Sequence, residues 1–182
     1  GMTVSGASGF SYAGRSTYSI TSSGKAMTGN QGFSCPGGTY TLQDAFNTSG
    51  SLSLTIGSFD LNNFSMTSTT MSSSNNNVRS ITFGTGTWSL TSTATATVWD
   101  FQNANATLSG SNGTIAITGS SANNRTFAGG TSKTYGTLTY TVAGSTGELD
   151  ITGSNSFAQI NFSDVTNARS LKFTAGTTTT IR

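Results

Sequence analysis

Three stretches of the chain begin alike and recur at nearly the same interval. Asn77-Val78-Arg79-Ser80-Ile81-Thr82-Phe83-Gly84-Thr85-Gly86-Thr87 comes first, and Asn124-Arg125-Thr126-Phe127-Ala128-Gly129-Gly130-Thr131 second. Asn167-Ala168-Arg169-Ser170-Leu171-Lys172-Phe173-Thr174-Ala175-Gly176-Thr177 is the third. Their arginines stand 46 and then 44 residues apart. A fixed period marks one structural unit stacked on copies of itself. An interval of about 45 residues is too long for one coil of a narrow β-helix. It fits two coils of about 22 to 23 residues, each with two or three short strands.

Composition decides whether such a chain can fold. Ser, Thr, Asn and Gly make up 103 of the 182 residues, and Leu, Ile, Val and Phe only 33. So few apolar residues border on the composition of disordered chains, but disorder also calls for high net charge, and here it is only +2. A solenoid needs a thinner core than a globule, because each coil buries a narrow apolar strip against its neighbours. Backbone ladders and stacked identical side chains supply much of the remaining cohesion.

Period-two alternation runs through the chain. Leu52, Leu54 and Ile56 alternate with Ser and Thr, as do Ile81 and Phe83, Trp88 and Leu90, Ile115 and Ile117, Leu138 and Tyr140, and Leu171 and Phe173. Each run reads as a half-buried strand. Gly57-Ser58, Gly84-Thr85-Gly86, Gly110-Ser111-Asn112-Gly113, Gly129-Gly130 and Gly153-Ser154-Asn155 punctuate them as turns. Repeated Asn at the turns is expected to stack into ladders. No helical period persists, and the best short helical candidate, Leu42-Gln43-Asp44-Ala45-Phe46, reads equally as a turn.

The expectation is an all-β fold: a right-handed parallel β-solenoid of five to seven coils over residues 34–182, with residues 1–33 as N-terminal capping strands. An antiparallel β-sandwich is the alternative. Gly1-Met2 reads as a cloning remnant before a natural start. Thr177 to Arg182 stop in mid-strand, so the repeat is expected to continue in a longer parent or to pair with another chain, a trimer by analogy with fibres.

Charge and residue chemistry narrow the function. Only 8% of residues are charged, and the eight Lys and Arg are scattered, so phosphate neutralisation and nucleic-acid binding are not expected. No apolar run approaches a membrane span. Cys35, the only cysteine, precedes the only proline and reads as part of the turn Cys35-Pro36-Gly37-Gly38. With no His and no calcium-type acidic loop, neither a metal, a cofactor nor an activated Ser or Thr nucleophile is expected.

The acids are Asp44, Asp60, Asp100, Glu148, Asp150 and Asp164. Glu148 and Asp150 alone share a strand face at about 7 Å, the separation of a glycosidase carboxylate pair. The plainer reading is a solvated strand edge. Trp88, Trp99, Tyr135 and Tyr140 are candidates for a sugar-stacking platform. The plainer reading of the two tryptophans is solenoid core. Thr93-Ala94-Thr95-Ala96-Thr97 offers three same-facing threonines of the kind that orders water. Ice binders repeat such an array on every coil, and in sequence it is clear only once.

Several segments together resemble Thr/Ser/Gly-rich repeat proteins of phage and environmental-phage origin. They are Ser34-Cys35-Pro36-Gly37-Gly38-Thr39-Tyr40-Thr41-Leu42-Gln43-Asp44-Ala45-Phe46, Leu52-Ser53-Leu54-Thr55-Ile56-Gly57-Ser58-Phe59-Asp60 and Thr87-Trp88-Ser89-Leu90-Thr91 with Thr97-Val98-Trp99-Asp100. Arg125-Thr126-Phe127-Ala128-Gly129-Gly130 and the run from Phe173 to Thr180 complete the set. The resemblance covers residues 34–182. It implies a β-solenoid with a tail-associated virion or cell-surface role, structural or adhesive rather than enzymatic, with a host-surface glycan or protein receptor as partner. A carbohydrate-binding module and a polysaccharide-cleaving enzyme using Glu148 and Asp150 are the alternatives.

Overall fold

Alternating hydroxyl and apolar residues give strands with one wet and one dry side. A narrow chain can bury the dry side only by coiling and stacking on itself. The computed structural model, which describes residues 9–110, 112–162 and 169–182, shows this arrangement. Among the described residues all elements are strands, and all of their pairings are parallel, which excludes the antiparallel sandwich.

The strands form a β-solenoid of about eight rungs. The first rung comprises β1 (Phe10–Ala13), β2 (Thr17–Ile20) and β3 (Ala26–Met27). The second comprises β4 (Gln31–Leu42) and β5 (Phe46–Thr48), the third β6 (Leu52–Asp60) and β7 (Met66–Ser68). β8 (Met71–Ser72), β9 (Arg79–Thr82) and β10 (Thr87–Leu90) make the fourth, and β11 (Ala96–Asp100), β12 (Ala106–Ser109) and β13 (Thr114–Ile117) the fifth. β14 (Arg125–Ala128) and β15 (Lys133–Tyr140) form the sixth, β16 (Leu149–Thr152) and β17 (Asn155–Phe162) the seventh, and β18 (Leu171–Phe173) and β19 (Thr180–Ile181) the eighth.

Three faces result. The first runs through β1, the first halves of β4 and β6, then β8, β11, β14, β16 and β18. The second runs through β2, the second halves of β4 and β6, β9 and β12. The first half of β15 packs beside β12, and this face continues through β17 to β19. The third runs through β3, β5, β7, β10, β13 and the second halves of β15 and β17.

Inward residues fill the tube with aromatic contacts. Tyr12 stacks on Phe33 at 4.6 Å, and Phe33 meets Phe59 at 4.8 Å. Trp88 and Trp99 cross edge to face at 5.2 Å, and Phe127, Tyr135 and Phe157 continue the column. Each fully buried side chain of this size contributes roughly 1.5–3 kcal/mol.

Two sequence expectations change. The arginine echo does not mark equivalent places in the coil. Arg79 opens β9 on the second face, whereas Arg125 opens β14 on the first, opposite Leu149. Arg169 precedes β18, whose Leu171 is the residue opposite Leu149. Coil length varies instead: Gln31 to Leu52 is 21 residues, Leu52 to Met71 is 19, and Met71 to Trp99 is 28. From Phe10 to Phe173 the seven coils still average about 23 residues, the expected length, with long corners around the fourth and fifth rungs; the eighth rung is the N-terminal one, outside the span in which five to seven were expected. The expected cap also differs. Phe10 and Thr17 pair in parallel with Gln31 and Thr39, so residues 10–27 form a rung of the same ladder, and the 33/34 boundary falls inside β4.

The corners carry much of the polar bonding. Asn103 donates from Nδ2 to Asn76 Oδ1, and Asn105 Nδ2 donates to Asn76 O at 2.7 Å, an Asn stack between the fourth and fifth rungs. The Leu42–Phe46 segment is a bend in which Asp44 accepts from the backbone N–H groups of Ser22 at 2.8 Å and Ser23 at 2.6 Å. These bonds hold the Asp44 carboxyl below its usual range. Thr93 and Thr95 lie ahead of β11 rather than on a strand, so they make no stacked array.

Candidate functional site

Where the first face turns into the second, β4 and β6 fall out of step. Ser34 is opposite Ile56 and Thr39 opposite Ser58, so Cys35 to Gly38 face a shorter stretch of β6. The Cys35 thiol turns inward and donates to Ser16 O at 3.0 Å. Gly57 has φ 91, and a Cβ there would lie 2.0 Å from Cys35 O, so only glycine fits. The outcome is a groove of about 290 Å³. Its walls include Gly37, Gly38, Ile56 and Val78, the last 74% exposed.

The groove is lined by a file of hydroxyls. Thr39 is in register with Ser58, Ser58 with Ser80, and Ser80 with Thr107, and all four line it. Ser80 Oγ donates to Ser58 Oγ at 2.7 Å. A second file, Thr41, Asp60, Thr82 and Ser109, runs alongside, with Thr82 and Ser109 joined at 2.8 Å. Sequence reasoning missed these files. Their signal was the tripeptide Thr39-Tyr40-Thr41 echoed by Ser58-Phe59-Asp60, Ser80-Ile81-Thr82 and Thr107-Leu108-Ser109, hidden by unequal spacing.

The four candidate aromatics lie inside the tube. Trp88 and Trp99 are 0% exposed, Tyr135 2% and Tyr140 1%, so none offers a ring face to a sugar. Their polar atoms are bonded within: Trp88 Nε1 donates to Ser68 Oγ at 2.9 Å, Trp99 Nε1 to Tyr135 Oη at 3.3 Å, and Tyr135 Oη to Gly129 O at 2.8 Å. Burial pushes the Tyr135 phenol well above its ordinary range. Tyr140 Oη accepts from Arg125 Nη1 at 2.5 Å and sits beside Ser145 Oγ at 2.6 Å.

Two further cations are interior. The Arg79 guanidinium bonds Ser73 Oγ, Ser73 O and Asn77 O and lies over the Phe101 ring. Lys133 donates to Asn103 O at 3.1 Å and approaches the same ring. Burial, and then the neighbouring Arg79, hold the Lys133 amine below its usual value.

Glu148 and Asp150 come together with a third group. Lys172 Nζ, from the next rung, stands 3.7 Å from both Glu148 Oε1 and Asp150 Oδ1. Ser170 Oγ donates to Glu148 Oε2 at 2.8 Å, which holds the Glu148 carboxyl down, while burial pushes Asp150 up. An open depression of about 470 Å³ beside them is lined by Asn124, Thr146, Arg169 and Ser170. Asp60 lies in the second hydroxyl file, Asp100 accepts from Gln102, and Asp164 is outside the described residues, as are Ser111, Asn167 and Ala168.

Fold and site define a parallel β-solenoid whose outer surface is organised as stacked hydroxyl files. No protein-family model, no curated protein and no solved structure matches the chain. Among the described residues no helix is long and apolar enough to cross a membrane.

Proposed function

We propose that this chain is a non-enzymatic structural and adhesive solenoid of a virion or cell surface, and that it holds a neutral host glycan in the groove between its first and second faces. The observation that carries the reading is the hydroxyl file Thr39, Ser58, Ser80 and Thr107 along a groove spanning four rungs. A sugar chain laid along the axis meets a hydroxyl at each rung, about 4.8 Å apart. Ile56 and Val78 offer apolar surface to the C–H side of the rings. Arg79 borders the groove, but its guanidinium is bonded inside. The resemblance to phage repeat proteins supports the virion setting, and a trimer is the assembly that fibres of this kind favour.

Glycan-array binding, read with the solution mass from light scattering, tests this. A defined glycan bound by the native chain and lost in Thr107→Trp, which fills the groove, is the expected result. A folded chain that binds nothing overturns it.

The depression beside Glu148 favours a second reading, a polysaccharide-cleaving enzyme. The two carboxyls are pushed in opposite directions, as an acid and a base require. New reducing ends that disappear in Glu148→Gln are its signature. Lys172 and Ser170 already engage both groups, which favours the adhesive reading.

A further inference from the structure

The third face carries hydroxyls in a different state. Thr87-Trp88-Ser89, Thr114-Ile115-Ala116, Thr137-Leu138-Thr139 and Gln159-Ile160-Asn161 occupy consecutive rungs in one register. Thr67 extends the inner file below Ser89. Trp88, Ile115 and Leu138 point inward and are buried, which fixes the strands and sends their neighbours outward. None of the outward positions is charged. Among the described residues the hydroxyls of Thr67, Thr87, Ser89, Thr114, Thr137 and Thr139 have no protein partner.

Strand geometry turns these residues into a lattice. Rungs repeat at about 4.8 Å, and alternate residues along a strand at about 6.6 Å. Threonine is stiff at χ1, so methyl and hydroxyl keep one orientation from rung to rung. Unbonded hydroxyls on a rigid uncharged face must bond water, and they hold it at the lattice points.

The kind of occupant follows from this chemistry. The glycan groove of the second face has apolar walls at Ile56 and Val78, whereas the outward positions of the third face are only Thr, Ser, Ala, Gln and Asn and offer a sugar ring no such wall. A protein partner needs an apolar interface core, which alternating Thr and Ser do not supply. A crystal of water presents hydrogen-bonding groups at fixed two-dimensional intervals and needs no charge. We propose that the third face binds ice, through the Thr87, Thr114 and Thr137 file and the parallel Thr67, Ser89 and Thr139 file. This goes beyond the glycan reading and concerns a different face.

Thermal hysteresis and ice-crystal habit, measured on the full chain, test the proposal, with folding followed by circular dichroism. The native chain and Thr107→Lys, altered on the second face, are expected to facet ice crystals and lower the freezing point below the melting point. Thr137→Lys is expected to lose both effects while keeping its fold and any glycan binding. Ala116→Lys, on the same face, provides a second variant if Thr137→Lys unfolds. Ice growth indistinguishable from buffer in the native chain overturns the proposal, as does full activity in a folded third-face variant. Glycan binding lost in Thr107→Lys alone bears on the groove and leaves the ice result to stand or fall by itself.

Discussion

The second and third faces are built by the same rule and end in different states. Both send Ser and Thr outward between buried apolar residues. On the second face two pairs of hydroxyls bond each other along the axis, Ser80 to Ser58 and Thr82 to Ser109. On the third, among the described residues, those of Thr67, Thr87, Ser89, Thr114, Thr137 and Thr139 remain unbonded to protein. Residue type explains part of the difference. Serine can rotate its Oγ toward the next rung, whereas a β-branched threonine stacked on threonine, or facing Ala116, is held in place. A mixed pair falls on either side: Thr82 bonds Ser109 on the second face, whereas Ser89 and its register partner Thr67 do not bond on the third.

The largest break in the comparison comes from beneath the faces. Phe59 backs the second and Trp88 the third, and both are fully buried. Phe59→Ala and Trp88→Ala should each lower stability by about 3–5 kcal/mol in urea unfolding. A much smaller loss in one would mean that its face is not braced by the common core.

The corner joining the two faces gives a smaller effect with a distinct pH signature. Asp44 binds the Ser22 and Ser23 backbone from that corner, and its folded pKa is depressed. Its contribution is present above the unfolded value, near 3.9, and is lost as pH falls through the folded value. Asp44→Ala should cost about 1 kcal/mol at neutral pH, discounted for exposure, and almost nothing in strong acid. A gap of constant size from neutral pH to strong acid would contradict the assignment.

Single hydroxyls provide the finest test. Ser80→Ala removes the bond to Ser58 and should cost about 0.5–1 kcal/mol, whereas Thr114→Val, which removes an unbonded hydroxyl, should be close to neutral. Equal losses in thermal melts would erase the distinction between the faces.

Part of this architecture was legible in the sequence. Alternation at Leu52–Ile56, Ile81–Phe83 and Trp88–Leu90 located strands, and the same alternation pointed Trp88 and Trp99 toward the core they occupy. The arginine echo was misleading, because a strand start of arginine, hydroxyl and apolar residue recurs at different points of coils with unequal corners. Register was hidden for the same reason: which serine stands over which threonine depends on corner lengths that period-two patterning does not encode. Glu148 and Asp150 were placed on one face, but Lys172, which neutralises them, arrives from the next rung.

In-register stacking is what all of these properties share, and a cross-link measures it directly. Ser58 and Ser80 are register partners, and their side chains sit within disulfide reach. In a Cys35→Ala background, Ser58→Cys with Ser80→Cys should oxidise to an intramolecular disulfide without loss of melting temperature, while Ser58→Cys with Thr82→Cys should remain reduced. Closure of the offset pair in place of the register pair would contradict the stacked files on which both faces depend.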